Sequence, residues 1–155
     1  MSQLPQPRGH TYLLICTDHF TRWPETILST NTAAKTVVRA FLLKWVAKFG
    51  APKSVTTDRG AQFESSLFQS TMQSLGCELY CNTAYHPAAN GLVERFHRQL
   101  KTSLMARNCF NDWLDHLPLV LLGIRTTIKS DLDTCLAELF YGPSLRLPGE
   151  LLAPS

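Results

Sequence analysis

Apolar residues along the chain fall into short continuous blocks and longer periodic stripes. Tyr12 to Thr17 is an uninterrupted β-prone run and predicts a strand buried on both faces. His19 to Arg22 predicts a turn, and Trp23 to Leu28 the returning strand, with Pro24 marking an irregular or edge position. Beyond Thr32, which can cap a helix, Val37, Phe41, Trp45 and Phe49 recur at i+4 spacing and predict one long helix with an apolar face. Gly50-Ala51-Pro52 ends it. Ser54 to Thr57 predicts a short strand that delivers Asp58 at its C-terminal end, with Gly60 turning the chain. Phe63 to Leu75 predicts a helix with Leu67, Phe68, Met72 and Leu75 inward and Gly76 as its stop. Cys77 to Cys81 predicts a strand with Cys77, Leu79 and Cys81 on one face. Asn82 to Asn90, holding Pro87, predicts a loop. Asn90 then caps a helix over Gly91 to Arg107 with the stripe Val93, Phe96, Leu100 and Leu104. Asp112 to Thr127 predicts one or two helices bent near Pro118, and Thr134 to Tyr141 a last helix stopped by Gly142-Pro143.

This order of strands and helices predicts an α/β fold with a mixed central sheet flanked by helices on both faces. Asp58, just past a strand's C-terminal end, lies where open α/β sheets place their sites. The chain has 155 residues, enough for one domain with a real core. We divide it into a core-like domain over 1–145 and a linker over 146–155. The net charge of +3 permits a polyanionic partner without demanding one. The longest apolar run, Leu117 to Ile124, contains Pro118 and Gly123 and is too short to span a membrane. The first residues lack the apolar stretch of a signal peptide. Five cysteines without framework spacing suit a reducing compartment. Cys77 and Cys81 read as core thiols and not as zinc ligands.

Thirty-five residues separate Asp58 from Glu94. Two-metal phosphoryl-transfer sites need carboxylates that converge from separate elements on hard cations, and this pair has that character. On a helix Glu94, Arg98 and Lys101 fall at i, i+4 and i+7, on one face, about 100° from the apolar stripe. From Asn82 to Arg107, four basic residues (Arg95, Arg98, Lys101, Arg107) face the single acid Glu94. Carboxylates that hold a cation, beside cations that hold phosphates, suit chemistry on nucleic acid. Each element alone has a plainer reading. Glu94 and Arg98 can be a solvated i,i+4 pair, Asp58 a turn residue, His86 a loop histidine and Asn90 a helix entry.

Taken together the motifs are specific. The chain resembles the integrase catalytic core of gypsy-type long-terminal-repeat retrotransposons, in the retroviral integrase superfamily. The resemblance rests on Tyr12-Leu13-Leu14-Ile15-Cys16-Thr17-Asp18-His19-Phe20-Thr21-Arg22-Trp23-Pro24-Glu25, on Thr57-Asp58-Arg59-Gly60, and on Tyr85-His86-Pro87 through Glu94-Arg95-Phe96-His97-Arg98. Further matches are Trp113, Leu117-Pro118, Gly123-Ile124-Arg125-Thr126 and Tyr141-Gly142. It implies an RNase H-like fold and a site of two Asp and one Glu binding Mg²⁺ or Mn²⁺, with Asp58 and Glu94 as the second and third ligands and catalytic residues. It implies 3′-end processing of element DNA and strand transfer into target DNA. Arg95, Arg98, Lys101, His86 and Asn90 become candidate DNA contacts, and Tyr85 to Asn90 a flexible lip. It also implies a homo-oligomer acting in the nucleus, with a cytoplasmic particle before import.

The pattern breaks at the start. The first catalytic Asp of this family precedes a Gly-Pro-Leu-Pro-like segment whose end matches Leu4-Pro5, so its place falls before Met1. Asp18 belongs instead to the hairpin motif, capping backbone N–H groups or pairing with Arg22. The first, central strand of the fold is therefore missing as well. Tyr12–Thr17 and Ser54–Thr57 each lose a ladder partner, and a complete two-metal site requires the upstream Asp. The expectation is weak or absent catalysis by this chain alone and marginal folding. The competing reading is a degenerate or domesticated, non-catalytic nucleic-acid-binding module.

Overall fold

The computed structural model describes residues 2–3, 12–82, 87–106 and 113–142, with the side chains of 2–3 and 87–90 excluded. The first sheet is three-stranded, in the order β1 (Ser2–Gln3), β2 (Tyr12–Thr17), β3 (Pro24–Ser29). β2 and β3 form an antiparallel hairpin from Tyr12↔Ser29 to Thr17↔Pro24, as the two apolar runs and the intervening turn predict. β1 pairs antiparallel with β2 at Ser2↔Leu13 and Gln3↔Tyr12. A second sheet joins β4 (Ser54–Thr57) and β5 (Glu78–Cys81) in parallel, and β6 (Ile128–Lys129) and β7 (Thr134–Cys135) make a small ribbon. Among the described residues β2 and β4 do not pair, so the expected central sheet stands as two pieces.

Helices cover both faces of β2, because its alternate side chains enter different cores. Leu14 packs with Ile27, Val37, Phe41, Trp45 and Met72. Leu13 packs with Phe96, Leu100, Trp113, Leu117 and Ile124. The first set comes from β3, α1 (Ala34–Phe41), the π-helical turn Leu42–Val46 and α4 (Ser66–Ser74). The second comes from α5 (Pro87–Ala106) and α6 (Trp113–Thr126). No described helix is long and apolar enough to cross a membrane.

The i+4 stripe after Thr32 has an unusual backbone. α1 runs into a π-helical turn, Leu42–Val46, and then α2, Ala47–Phe49. Strict i+4 spacing drifts about 40° per step on an α-helix of 3.6 residues per turn. A wider π turn takes up that drift, which keeps Val37, Phe41 and Trp45 buried in line. Thr32 does not cap this helix. Ala33 precedes it without a side-chain cap, and Asn31 Oδ1 accepts the Ala33 N–H at 2.9 Å.

Three other boundaries depart from the sequence expectation. The helix predicted from Phe63 breaks at Ser65 into α3 (Ala61–Glu64) and α4, because the Ser65 hydroxyl accepts the Phe68 N–H and starts a new helix. The break resets the helical phase. Phe68 and Met72 point inward, and Leu67, one position off that line, is 43% exposed. α5 begins at Pro87 and not at Gly91, so Asn90 lies inside the helix instead of capping it, and the 87–90 part of the expected lip is helical. Proline's fixed φ and missing donor suit a first helical turn. The last helix, α7 (Leu136–Tyr141), starts after β7 has taken Thr134 and Cys135. α6 is one helix with Pro118 inside it. The expected linker over 146–155 lies outside the described residues.

Candidate active site

Asp58 follows β4 directly. The parallel ladder Ser54↔Glu78 to Thr57↔Cys81, extended by the Asn82 N–H donating to the Thr57 carbonyl at 2.9 Å, fixes where that strand ends. The exposed Asp58 carboxylate accepts the Gly60 N–H on Oδ1 at 2.9 Å, which orients it across the turn. The Cys81 thiol lies 3.8 Å from the Asp58 carbonyl oxygen, which it contacts as donor.

Glu94 lies on α5. Phe96, Leu100 and Leu104 are buried against α6 and β2, which leaves the face of α5 bearing Glu94, Arg98 and Lys101 toward solvent. Asp58 and Glu94 both line one cleft of about 810 Å³ between β2 and β4. Tertiary structure thus places the two carboxylates singled out from the sequence on the lining of one cleft. Arg95 is exposed and its Nε donates to the Gly91 carbonyl at 3.1 Å, along its own helix. His86 lies outside the described residues, and so does the Asn90 side chain. Among the described residues no group of three His, Cys, Asp or Glu side chains converges as a metal cage.

Oxygen donors alone suit a hard cation, and Mg²⁺ is commonly held by one or two carboxylates with substrate phosphates completing the shell. Asp58 and Glu94 fit that requirement: both are exposed carboxylates bordering one cleft. Asp18 borders the cleft too but is engaged in its turn. Its Oδ2 accepts the Thr21 N–H and the Thr21 hydroxyl, each at 2.7 Å. That is the capping role expected of it. The alternative partner, Arg22, goes elsewhere and pairs with Asp131 at 2.6 Å.

Three cleft residues were not singled out in the sequence. Cys16 sits directly opposite Glu25 in the β2–β3 ladder. Burial, with the Glu25 carboxylate second, pushes its thiol up to about 12, so it is no nucleophile at neutral pH. Thr17 Oγ1 and His97 Nε2 are buried without hydrogen-bond partners among the described residues. Only the Glu94–His97 spacing of i, i+3 could have pointed to His97 beforehand. The cysteines flanking β5 divide. Cys77 is buried and donates to the Pro52 carbonyl, whereas Cys81 is exposed. The expectation of two core thiols on one face holds for Cys77 alone, because β5 lies at a sheet edge and its end meets solvent beside Asp58.

Burial, with the positive charge of Lys101 second, lowers the His97 pKa below its ordinary 6.5. The unfolded chain therefore binds the proton more readily than the folded one. His97 contributes stability above about pH 6.5, and that contribution is lost as pH falls through the lower folded value. The melting temperature is expected to drop as pH falls below about 6.5, and a H97Q variant to flatten that part of the profile. An unchanged profile in H97Q would show that His97 is not the group responsible.

The family model for the integrase core domain matches residues 1–87. The Pol polyprotein of Radiation murine leukemia virus (strain Kaplan) is 35% identical over 122 residues, covering 77% of this chain and 21% of that protein. The Gag-Pol polyprotein of Gibbon ape leukemia virus is 32% identical over 155 residues, covering 97% of this chain and 9% of that protein. The chain thus spans a small part of the polyproteins it matches. Among solved structures, the simian T-cell lymphotropic virus intasome in complex with PP2A regulatory subunit B56 gamma superposes with a TM-score of 0.73 at 24% identity, over 91% of this chain and 51% of that one. The HTLV-2 integrase catalytic core domain, in complex with magnesium in a trimeric form, gives 0.68 at 18% identity, over 86% and 87% of the two chains. These likenesses establish an RNase H-like integrase-core fold. With the family match over more than half of its length, the chain belongs to the integrase core domain family, within the retroviral integrase superfamily.

Proposed function

We propose that this chain is the core of a gypsy-type retrotransposon integrase that acts on DNA in the nucleus, trimming 3′ ends and joining them to target DNA. The observation that carries the reading is the meeting of Asp58 and Glu94 on one open cleft, beside a helix face bearing Arg98 and Lys101. Asp58 and Glu94 would hold the Mg²⁺ or Mn²⁺. A bound divalent cation supplies Lewis-acid stabilisation of the attacking and leaving oxygens. Gly60 holds the Asp58 carboxylate in place through its backbone N–H. Arg98 and Lys101 neutralise backbone phosphates and set the register of the duplex, without reading bases. The fold's relatives include a trimeric core, and we extend self-association to this chain as part of the proposal.

The test is a strand-transfer assay with short duplexes in Mg²⁺, Mn²⁺ or chelator, run beside DNA-binding titrations over a range of salt. Metal-dependent joined product supports integration. Salt-sensitive binding without product supports the second reading, a non-catalytic DNA-binding module. Absence of DNA binding overturns both. R98Q and K101Q together are expected to weaken binding across sequences alike. They should also reduce the slope of log affinity against log salt by roughly 0.9 per lost phosphate contact. An unchanged slope would remove these two side chains from the interface.

A further inference from the structure

We propose that a second cavity, bounded by β3, α2 and α7, is a slot for the ε-ammonium of a lysine carried on a basic peptide, and that Lys48 fills it in the free chain as a stand-in. The cavity has a volume of about 670 Å³, a size typical of small-ligand sites. It contains neither Asp58 nor Glu94. One wall is aromatic. Trp45, Phe49, Phe140 and Tyr141 follow one another edge to face, with successive ring centroids 4.9, 5.1 and 5.0 Å apart. The acids on its lining are Asp18 and Glu25.

Glu25 sets the demand for a cation. Its carboxylate is buried, and a buried charge has to be paired. Arg125 supplies one positive charge and is fixed in place, 4.2 Å over the Trp23 ring and donating to the Pro24 carbonyl at 2.6 Å. With Asp18 and Glu25 both ionised, one more cation balances the group. In the free chain that cation is Lys48, whose Nζ lies 3.5 Å from Glu25 Oε1 and 5.8 Å from the Phe49 ring centroid. A carboxylate together with an aromatic face is the chemistry that holds an ammonium. The aromatic wall also suits the aliphatic stem of a lysine, whereas a hard metal ion asks for oxygen donors throughout. Lys48 is loosely held. Its side chain is 55% exposed, and an ion pair with so exposed a partner contributes little. An incoming lysine can therefore replace it without leaving Glu25 short of a charge. This goes beyond the integration reading and does not depend on it, because no readout involves DNA.

The experiment titrates the isotope-labelled full chain with a capped glycine-lysine-glycine peptide and follows backbone amides by NMR. A glycine-norleucine-glycine peptide keeps the stem and lacks the charge. Saturable shifts of the Lys48, Phe49, Phe140 and Tyr141 amides are expected with the lysine peptide and not with the norleucine peptide. K48Q empties the slot. The lysine peptide should bind this variant at least about threefold more tightly, because apparent affinity scales with the fraction of molecules whose slot is open. E25Q combined with R125M removes the carboxylate along with its buried partner, and should abolish the shifts while amide dispersion is retained. If that double variant does not fold, K48Q alone decides. The proposal is overturned if both peptides shift these amides equally, which would indicate apolar adhesion, or if neither does so in wild type and K48Q. Equal or weaker binding by K48Q also overturns it, since Lys48 is then no competitor, and so does undiminished binding by a folded E25Q/R125M chain.

Discussion

D58N and E94Q are each expected to reduce metal-dependent strand transfer by at least about 100-fold while leaving the fold intact. A divalent cation contributes several kcal/mol of charge stabilisation at a reacting phosphate, and each 1.36 kcal/mol is tenfold in rate. Removing the charge from one of the two candidate ligand carboxylates removes much of the cation's hold. Mn²⁺ affinity, read from its magnetic resonance signal on this chain, should fall at least about tenfold in each variant. Stability should move by no more than about 0.5 kcal/mol, because both residues are exposed. Asparagine at position 58 also keeps the Oδ1 acceptor for the Gly60 N–H. A variant that folds, binds DNA and retains both Mn²⁺ and product would take its residue out of the site. Glu94 is open to that outcome independently of Asp58, since the two sit on different elements.

R125A is expected to cost about 3 kcal/mol of folding stability, the largest effect of any polar substitution considered. Glu25 is buried in β3, one position after Pro24, and cations and donors surround it. Arg125 Nη2 lies 3.4 Å from Glu25 Oε1, Lys48 Nζ 3.5 Å, and the Trp23 indole N–H donates to the same oxygen at 3.1 Å. Arg125 Nη2 also donates to the Pro24 carbonyl at 2.6 Å, and its guanidinium stacks 4.2 Å from the Trp23 ring. Removing one partner of a buried pair leaves the other charge desolvated, which costs about 3–5 kcal/mol. The low end applies because Lys48 remains, although that side chain is 55% exposed. Burial already lowers the Arg125 pKa, with Glu25 opposing that shift, so the guanidinium is held mainly by its partner. E25Q combined with R125M should recover much of the loss, since no buried charge is then left alone. A denaturant midpoint for R125A equal to wild type, at unchanged m-value, would show that the cluster is not a stability element.

The residues of the motif Arg22-Trp23-Pro24-Glu25 acquire different tasks once folded. Sequence reading assigned Asp18 to the hairpin turn, and its carboxylate caps the turn at Thr21. It could not identify Arg22's partner, because Asp131 lies more than a hundred positions away in sequence. Arg125 and Glu25 were visible only as family motif residues. Their pairing depends on α6 crossing β3, a contact that no local pattern encodes.

Local physics sufficed wherever spacing sets the answer. The apolar runs of β2 and β3, and the face of α5 bearing Glu94, Arg98 and Lys101, follow from periodicities of about 2 and 3.6 residues. The family resemblance alone implies Asp58 and Glu94 as a pair. Tertiary structure decided the rest. The break at Ser65 depends on a hydroxyl competing for backbone donors, and it turned Leu67 outward. The start of α5 at Pro87 moved Asn90 from a cap into the helix. Cys77 is buried while Cys81 is exposed because one packs into a core and the other ends an edge strand. Asp58, Glu94 and His97, which belong to different elements, line one cleft between β2 and β4. Which side chains share that cleft is set by long-range packing, and sequence periodicity carries no record of distances between elements.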